Sequence, residues 1–420
     1  MKTGIFVGDL PRSFQHAIVV TGWFHCRYLW IDSLCIIQDS TEDWQNESSL
    51  MRHVYKNAWL NISATAAADS SSGLFFDRKP SLVSAGAVFI SWEGNLPTGM
   101  FYFFLRDFWE DGVGRAPLNR RAWVVQERFL SRRNLHFGSR GIYFECHVME
   151  ACETFPKGLP TFFKEALINR FKAIDVPPVP TATAGAKSFL RNWQKITNAY
   201  TNSSLTYASD KLVALSGVAD EFQNMSNYTY LAGLWKECFL ANQLLWRTRK
   251  RVSGQPSVRP SIYRAPSWSW LSLDANIPGS VIIGPSVLIE ILDAHTTLVD
   301  DNSPTGQVKH GVIRVRGQLE KVYLQKVPRT RDSYSICEED DKKTGLLTVA
   351  FDETAFRATQ AYIMPVMFSR GDTLEGLLLV STEQAPAEFR RVGFFESDDE
   401  ETHEQLTKQD TENKIIFTIV

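Results

Sequence analysis

The stretch DSLCIIQDSTEDWQNE places Asp32, Ser33, Cys35, Gln38, Asp39 and Glu47 within sixteen residues. Three carboxylates, a thiol and an amide of this kind could move a proton, bind a ribose hydroxyl or attack an electrophile. Glu47 is the candidate acid–base group. At 3.6 residues per turn it lies about 60° from Trp44, on the edge of an apolar stripe, where partial desolvation raises a carboxyl pKa. Each residue also has an ordinary use. Asp32, Gln38 and Asp39 suit a turn, and Glu47 suits the first part of a helix. For Cys35 no histidine is placed nearby by the sequence.

A second group follows the run AWLNISATA, where Ser63, Thr65 and Ala66 would close a strand. A third lies in RAPLNRRAWVVQERFL, with Arg121, Trp123, Gln126, Glu127 and Arg128. Arg121 and Arg128 are seven apart. On one continuous helix over 115–130 they share a face and could hold a phosphate or carboxylate. The alternative is an ion pair between Arg128 and an acid elsewhere.

These residues need a frame. Ser13 can cap a helix bearing Phe14, Ala17, Ile18 and Thr21. RYLWIDSLCII, apolar on both faces, reads as a buried strand. Ser40 and Asp43 form a capping-box pattern ahead of a helix with Trp44, Ser48, Met51, Tyr55 and Ala58 on one side. AWLNISATA is the next strand. Residues 27–66 are thus expected to form a β-α-β unit with parallel strands and a right-handed crossover. Ligands of open parallel sheets sit beyond the strands' carboxyl ends, where Asp32 to Asp39 and Ser63 would stand. Trp123 and the stripe of Trp44, Met51 and Tyr55 are expected in the core.

Farther along, NLHFGSRGIYFEC reads as a hairpin turning at Gly138 and Gly141. VPPVPTATAGAK, residues 176–187, reads as a linker. Residues 188–250 read as helical, with Trp193, Ile196 and Tyr200 on one face. Trp268 and Trp270 in PSWSW alternate like a strand and suit a packing seam between the helical part and a C-terminal β unit. VIRVRGQL, YIMPVMF, EGLLLVS, RRVGFF and KIIFTIV are the short strands of that antiparallel unit. The acidic run 396–413 reads as disordered. The implied domains are 1–150, 151–275 and 276–420.

Composition narrows the function classes. Forty-five basic against 47 acidic residues give a net charge of −2, so no global field draws the chain to nucleic acid. The six cysteines show no C-x-x-C pair and no metal-site spacing, which suits free thiols in a reducing, cytoplasmic setting. No metal or certain cofactor is expected. No apolar run reaches membrane-spanning length.

LPRSFQHAI, RYLWIDSLCIIQD, DWQNESSLM, VYKNAWLNISATAAADSSSGLF and RAWVVQERFLSRRNLHFG resemble, in order and spacing, fungal heterokaryon-incompatibility (HET) domain proteins. YLAGLW, LLW and RAPSWSWLS resemble the segment that commonly follows that domain. The resemblance implies a role in non-self recognition and programmed cell death, exerted through protein partners or self-association. It also implies a TIR-like, flavodoxin-like α/β domain at the N-terminus. Two features depart from the family. The opening strand of the type Y-x-A-L-S-Y-x-W-G is replaced by MKTGIFVGD, and an acidic residue before Ala17 is here His16. A sheet position and one wall of a pocket would then be missing, as in a truncated or degenerate copy. TIR-type enzymes that cleave NAD carry a glutamate shortly after a helical tryptophan, usually four residues on. Trp44 to Glu47 spans three. NAD is therefore a candidate substrate, beside action by assembly and beside an inactive scaffold.

Overall fold

The computed structural model describes residues 4–78, 83, 86–92, 98–160, 183–249, 256–278, 283–284, 286–330, 332–337, 343–356, 359–369, 371–407 and 414–420. The chain divides into two compact units, Met1–Ile174 and Asp175–Val420. Most of the expected linker, residues 176–182, lies outside the described residues.

In the first unit, α1 spans Arg12–Trp23 and starts behind Pro11 without a side-chain cap. Ser13 sits inside the helix, and its amide donates to the Ser70 carbonyl at 2.9 Å. Ile18 is exposed, and Val20 supplies the buried contact instead. Residues 26–31 form no strand, and Asp32–Cys35 make a single helical turn, α2. Helix α3, Thr41–Asn57, is capped by Ser40, whose hydroxyl accepts from the Asp43 amide at 3.1 Å. The Asp43 carboxylate bonds the Ile37 amide at 2.7 Å, tying the turn onto the helix instead of closing the box. Strand β1 is only Asn61–Ser63. An aromatic hairpin, β2 (Gly86–Ile90) with β3 (Gly99–Phe103), comes next.

Helix α4 is Ala122–Leu130, preceded by a separate 3-10 turn at Leu118–Arg120. Arg121 between them is extended (φ −91°, ψ 129°). It therefore shares no helix face with Arg128. Strands β4 (Arg133–Phe137) and β5 (Ile142–Cys146) are antiparallel and turn at Gly138 and Gly141; β6 (Glu150–Cys152) adds beside β5. The sheet order is β1-β4-β5-β6, mixed, with β1 parallel to β4. The parallel pair thus joins residues 61–63 to 134–136, and the expected pairing of residues 27–37 with β1 is absent. A doubly apolar run is compatible with a strand, but a neighbour is needed to make one.

Met51 is buried, whereas Trp44, Tyr55 and Trp123 are only half-buried. A core tryptophan costs about 3–5 kcal/mol on truncation. At its observed burial Trp123→Ala should cost about 1–2 kcal/mol, read as a shift in urea midpoint.

The second unit has α5 (Thr183–Thr201) and α6 (Val213–Ser226), which bury Trp193, Ile196, Tyr200 and Phe222. A two-residue hairpin, β7 (Tyr230–Leu231) with β8 (Leu234–Trp235), and the turn α7 (Leu240–Gln243) complete the helical part. Trp268 and Trp270 are buried, but in a turn and a 3-10 segment, not in a strand. Their indole N–H groups donate to the Gly311 and Gly233 carbonyls, which makes them the seam between helical part and sheet.

That sheet comprises β9 (Ser286–Val287), β10 (Glu290–Leu298), β11 (Val308–Gly317), β12 (Glu320–Lys326), β13 (Ser333–Cys337), β14 (Lys343–Phe351), β15 (Gln360–Phe368), β16 (Leu374–Ser381), β17 (Glu388–Ser397) and β18 (Ile415–Ile419). The antiparallel pairings β12–β13–β14–β17–β16–β15 return to β12, so six strands close a barrel. Closure removes edges. Val322, Ile336, Leu347, Ile363, Leu378 and Phe395 pack together as its core. Residues 400–406, expected to be disordered, form helix α8, capped by the Asp399 carboxylate, and bury Leu406 against that core. Residues 408–413 lie outside the described residues.

Candidate functional site

The first unit holds a cleft of about 800 Å³. Helix α1 lines it with Phe14 and Ala17, the extended segment with Tyr28 to Asp32, α3 with Val54 and Tyr55, and β1 with Asn61 to Ser63. Arg121, Val124 and Glu127 close it from α4 and the residue before it. Most of the wall is apolar. The charged groups bordering it are Asp32, Asp69, Arg121 and Glu127.

Three residues expected from sequence meet here: Asp32, Ser63 and Arg121. Asp32 comes after the extended segment and opens α2, where its carboxylate accepts from the Ser33 amide at 2.7 Å. Ser63 ends β1, beyond which Thr65 is fully buried. Ser33, Cys35, Gln38, Asp39, Glu47 and Arg128 do not border the cleft. Gln38 donates to the Ile36 carbonyl at 2.9 Å, as a turn residue does, and the Cys35 thiol is exposed and free. Glu47 is half-buried on α3. All six cysteines are free, no helix is long and apolar enough to cross a membrane, and no metal-binding cluster occurs among the described residues.

Glu127 is the group that sequence reasoning placed in an ion-pair cluster and not at a site. Burial pushes its carboxyl up to about 7, and the charge of Asp32 pushes the same way, with Arg121 and a hydrogen bond from Tyr55 opposing. Tyr55 is held well above the ordinary phenol range, by burial first and then by the charges of Glu127 and Asp32. Trp30 stands edge-on to the Tyr55 ring at 5.7 Å, which fixes the phenol's plane. A carboxyl that titrates near neutrality, beside a second acid and a cation, can take or give a proton at cellular pH. The available signal was Tyr55 on the apolar stripe of α3 and Glu127 as the one acidic residue of α4. No local spacing says that the two helices meet there.

The helix carrying Glu127 is locked by its neighbour. Arg128 makes a two-pronged ion pair with Glu145 on β5, at 2.5 and 2.8 Å. Glu145 also meets His136 Nε2 at 3.1 Å, and His136 Nδ1 meets the Thr65 hydroxyl at 3.0 Å. Asn134 donates to Glu145 at 3.2 Å and accepts from Asn61 at 2.8 Å. This buried chain joins α4 to β1, β4 and β5. It presents no reacting group to the cleft but sets the register of the helix that does.

His16, just before Ala17 on α1, is held by two contacts. Its Nδ1 accepts from the Leu74 amide at 3.0 Å and its ring stacks on Phe75 at 4.4 Å. A carboxylate could accept the same bond. A β-carbon on Gly73, where φ is +79°, would meet the His16 ring at 2.7 Å, so the histidine and the glycine need each other.

A family model for heterokaryon incompatibility protein (HET) matches residues 2–127. No curated protein and no solved structure matches the chain. The matched segment runs from the N-terminal turn to Glu127 and contains every residue lining the cleft. The chain thus carries, over residues 2–127, a heterokaryon-incompatibility (HET) domain.

Proposed function

We propose that this protein acts in the cytoplasm of a fungal cell in non-self recognition and incompatibility death, and that its HET domain acts there as a TIR-like enzyme cleaving NAD. The observation that carries the chemistry is the carboxyl of Glu127, poised near 7 in a cleft that also holds Asp32, Tyr55 and Arg121. Glu127 takes the role first expected of Glu47, because Glu47 does not border the cleft.

Cleavage of the nicotinamide–ribose bond builds positive charge on the ribose. The bonding pair returns to the ring nitrogen, which leaves as neutral nicotinamide, and water adds to the ribose carbon. Ionised Glu127 accepts the water's proton, and the charge of Asp32 stabilises the cation-like ribose. Arg121, exposed at the N-terminal end of α4, suits the diphosphate.

The test is NAD turnover by the purified chain. The parent and Glu47→Gln should release nicotinamide, and Glu127→Gln should lose at least 100-fold, the scale of a general base. Equal release by the parent and Glu127→Gln, or none by the parent, overturns the assignment.

A further inference from the structure

We propose that the part of the HET domain's cleft between Tyr28–Ile31 and β1 is a vacant strand position, and that its occupant is an uncharged, extended peptide segment supplied by a partner protein. The inference rests on main-chain geometry and apolar exposure and is independent of the chemistry proposed for Glu127.

Strand β1 has β4 along one edge, and no strand pairs with its other edge among the described residues. An open edge of this kind presents amides and carbonyls ready to pair. The segment Arg27–Ile31 also borders the cleft from Tyr28 onward. Its backbone is strand-like where it enters α2, with Ile31 at φ −132° and ψ 123°. Yet the amides and carbonyls of Arg27–Trp30 make no hydrogen bond among the described residues. Two stretches of unpaired main chain therefore border one cleft, and neither pairs with the other.

The side chains agree. Phe24, Tyr28 and Trp59 all line the cleft and are 40%, 86% and 54% exposed. Aromatic surface left bare next to unpaired main chain is what a missing neighbour uncovers. A small ligand can cover rings, but it cannot satisfy two rows of peptide groups. An extended peptide does both, pairing its backbone to either side and packing its alternate side chains against Phe14, Ala17 and Val54. The lining residues of α1, of Tyr28–Ile31, of α3 and of β1 carry no charge; the charged groups Asp32, Asp69, Arg121 and Glu127 come from the end of the extended segment, from the loop after β1, and from α4 with the residue before it. The occupant is therefore apolar and uncharged along the slot. Strand addition of this kind gains its affinity from main-chain bonds and its specificity from the alternate side chains.

The probe is a capped peptide of about seven alternating valines and threonines flanked by lysines, added to the full chain. Calorimetry should show binding. Hydrogen exchange should slow at least tenfold at amides in both Tyr28–Ile31 and Asn61–Ala64. The same peptide with proline at every second position, lacking the donors, should not bind. Protection confined to one of the two segments, binding of the proline peptide with equal strength, or no binding at all overturns the proposal. So does concentration-dependent protection of both segments in the chain alone, since a second copy would then be the occupant. NAD turnover is not the readout, so failure of the strand proposal and failure of the enzymatic one are separable.

Discussion

Arg128→Met should lower the stability of the first unit by about 3–5 kcal/mol, the cost of leaving a buried charge without its partner. The side chains of Arg128 and Glu145 are only 11% and 2% exposed, so water cannot take over either charge. Burial by itself would raise the Glu145 carboxyl. The charge and hydrogen bonds of Arg128, with those of His136, more than offset this and hold it far below the usual carboxylate range. A depressed carboxyl contributes stability above its unfolded value, about 4.5, and that contribution is lost as pH falls through the folded value. The parent should therefore lose stability below about pH 4.5 more steeply than Arg128→Met, whose Glu145 no longer resists protonation. The double variant Arg128→Met/Glu145→Gln should recover part of the loss, because removing both charges is far cheaper than stranding one. Urea midpoints, with hydrogen exchange at α4 and β5, give the comparison. A single variant within about 1 kcal/mol of the parent would show that the pair is replaceable by packing alone.

The same pair shows which parts of the molecule were legible in the sequence. Local signals held: the Ser40 cap, the glycine turn between β4 and β5, the face of α5 and the C-terminal strands all depend on residues close in the chain. Long-range partners did not. RYLWI has the composition of a buried strand, but a strand exists only where a neighbour offers hydrogen bonds, and among the described residues none does. Arg121 and Arg128 have helical spacing, but the extended backbone at Arg121 breaks the helix between the arginines' faces. The run after Ser397 was acidic enough to look disordered, yet the Asp399 cap and the burial of Thr402 and Leu406 offset that repulsion. Asp32, Ser63 and Arg121 do border the cleft, because strand ends and helix starts are where polar groups gather. Glu127 was not expected there, because its shift arises from burial that only the packed helices create and from Asp32, far earlier in the chain.

Glu127→Gln should cut NAD cleavage at least 100-fold and at the same time make the first unit more stable above neutral pH. Ionised Glu127 sits where burial and the Asp32 charge both oppose it, so the folded domain holds its proton up to about pH 7. A raised carboxyl stabilises the fold fully below the unfolded value, about 4.5, and that contribution is lost as pH rises through 7. Glutamine keeps the shape and cannot ionise. At pH 5 the variant and the parent should differ little. At pH 8 the variant should be more stable by about 2–3 kcal/mol, a figure reduced from the full linkage because the side chain is partly exposed. The parent's turnover should rise with pH through about 7, as required of a group that accepts the water's proton only when ionised. The two readouts separate the outcomes. Lost turnover with a pH-dependent stability gain identifies a strained catalytic carboxyl, kept at a cost to the fold. Lost turnover with lost stability at every pH would mean that Glu127 holds the helices together and that its effect on activity is indirect. No stability gain at pH 8 would place the Glu127 carboxyl in water, outside the cleft's influence, and would remove the basis for assigning it the proton transfer.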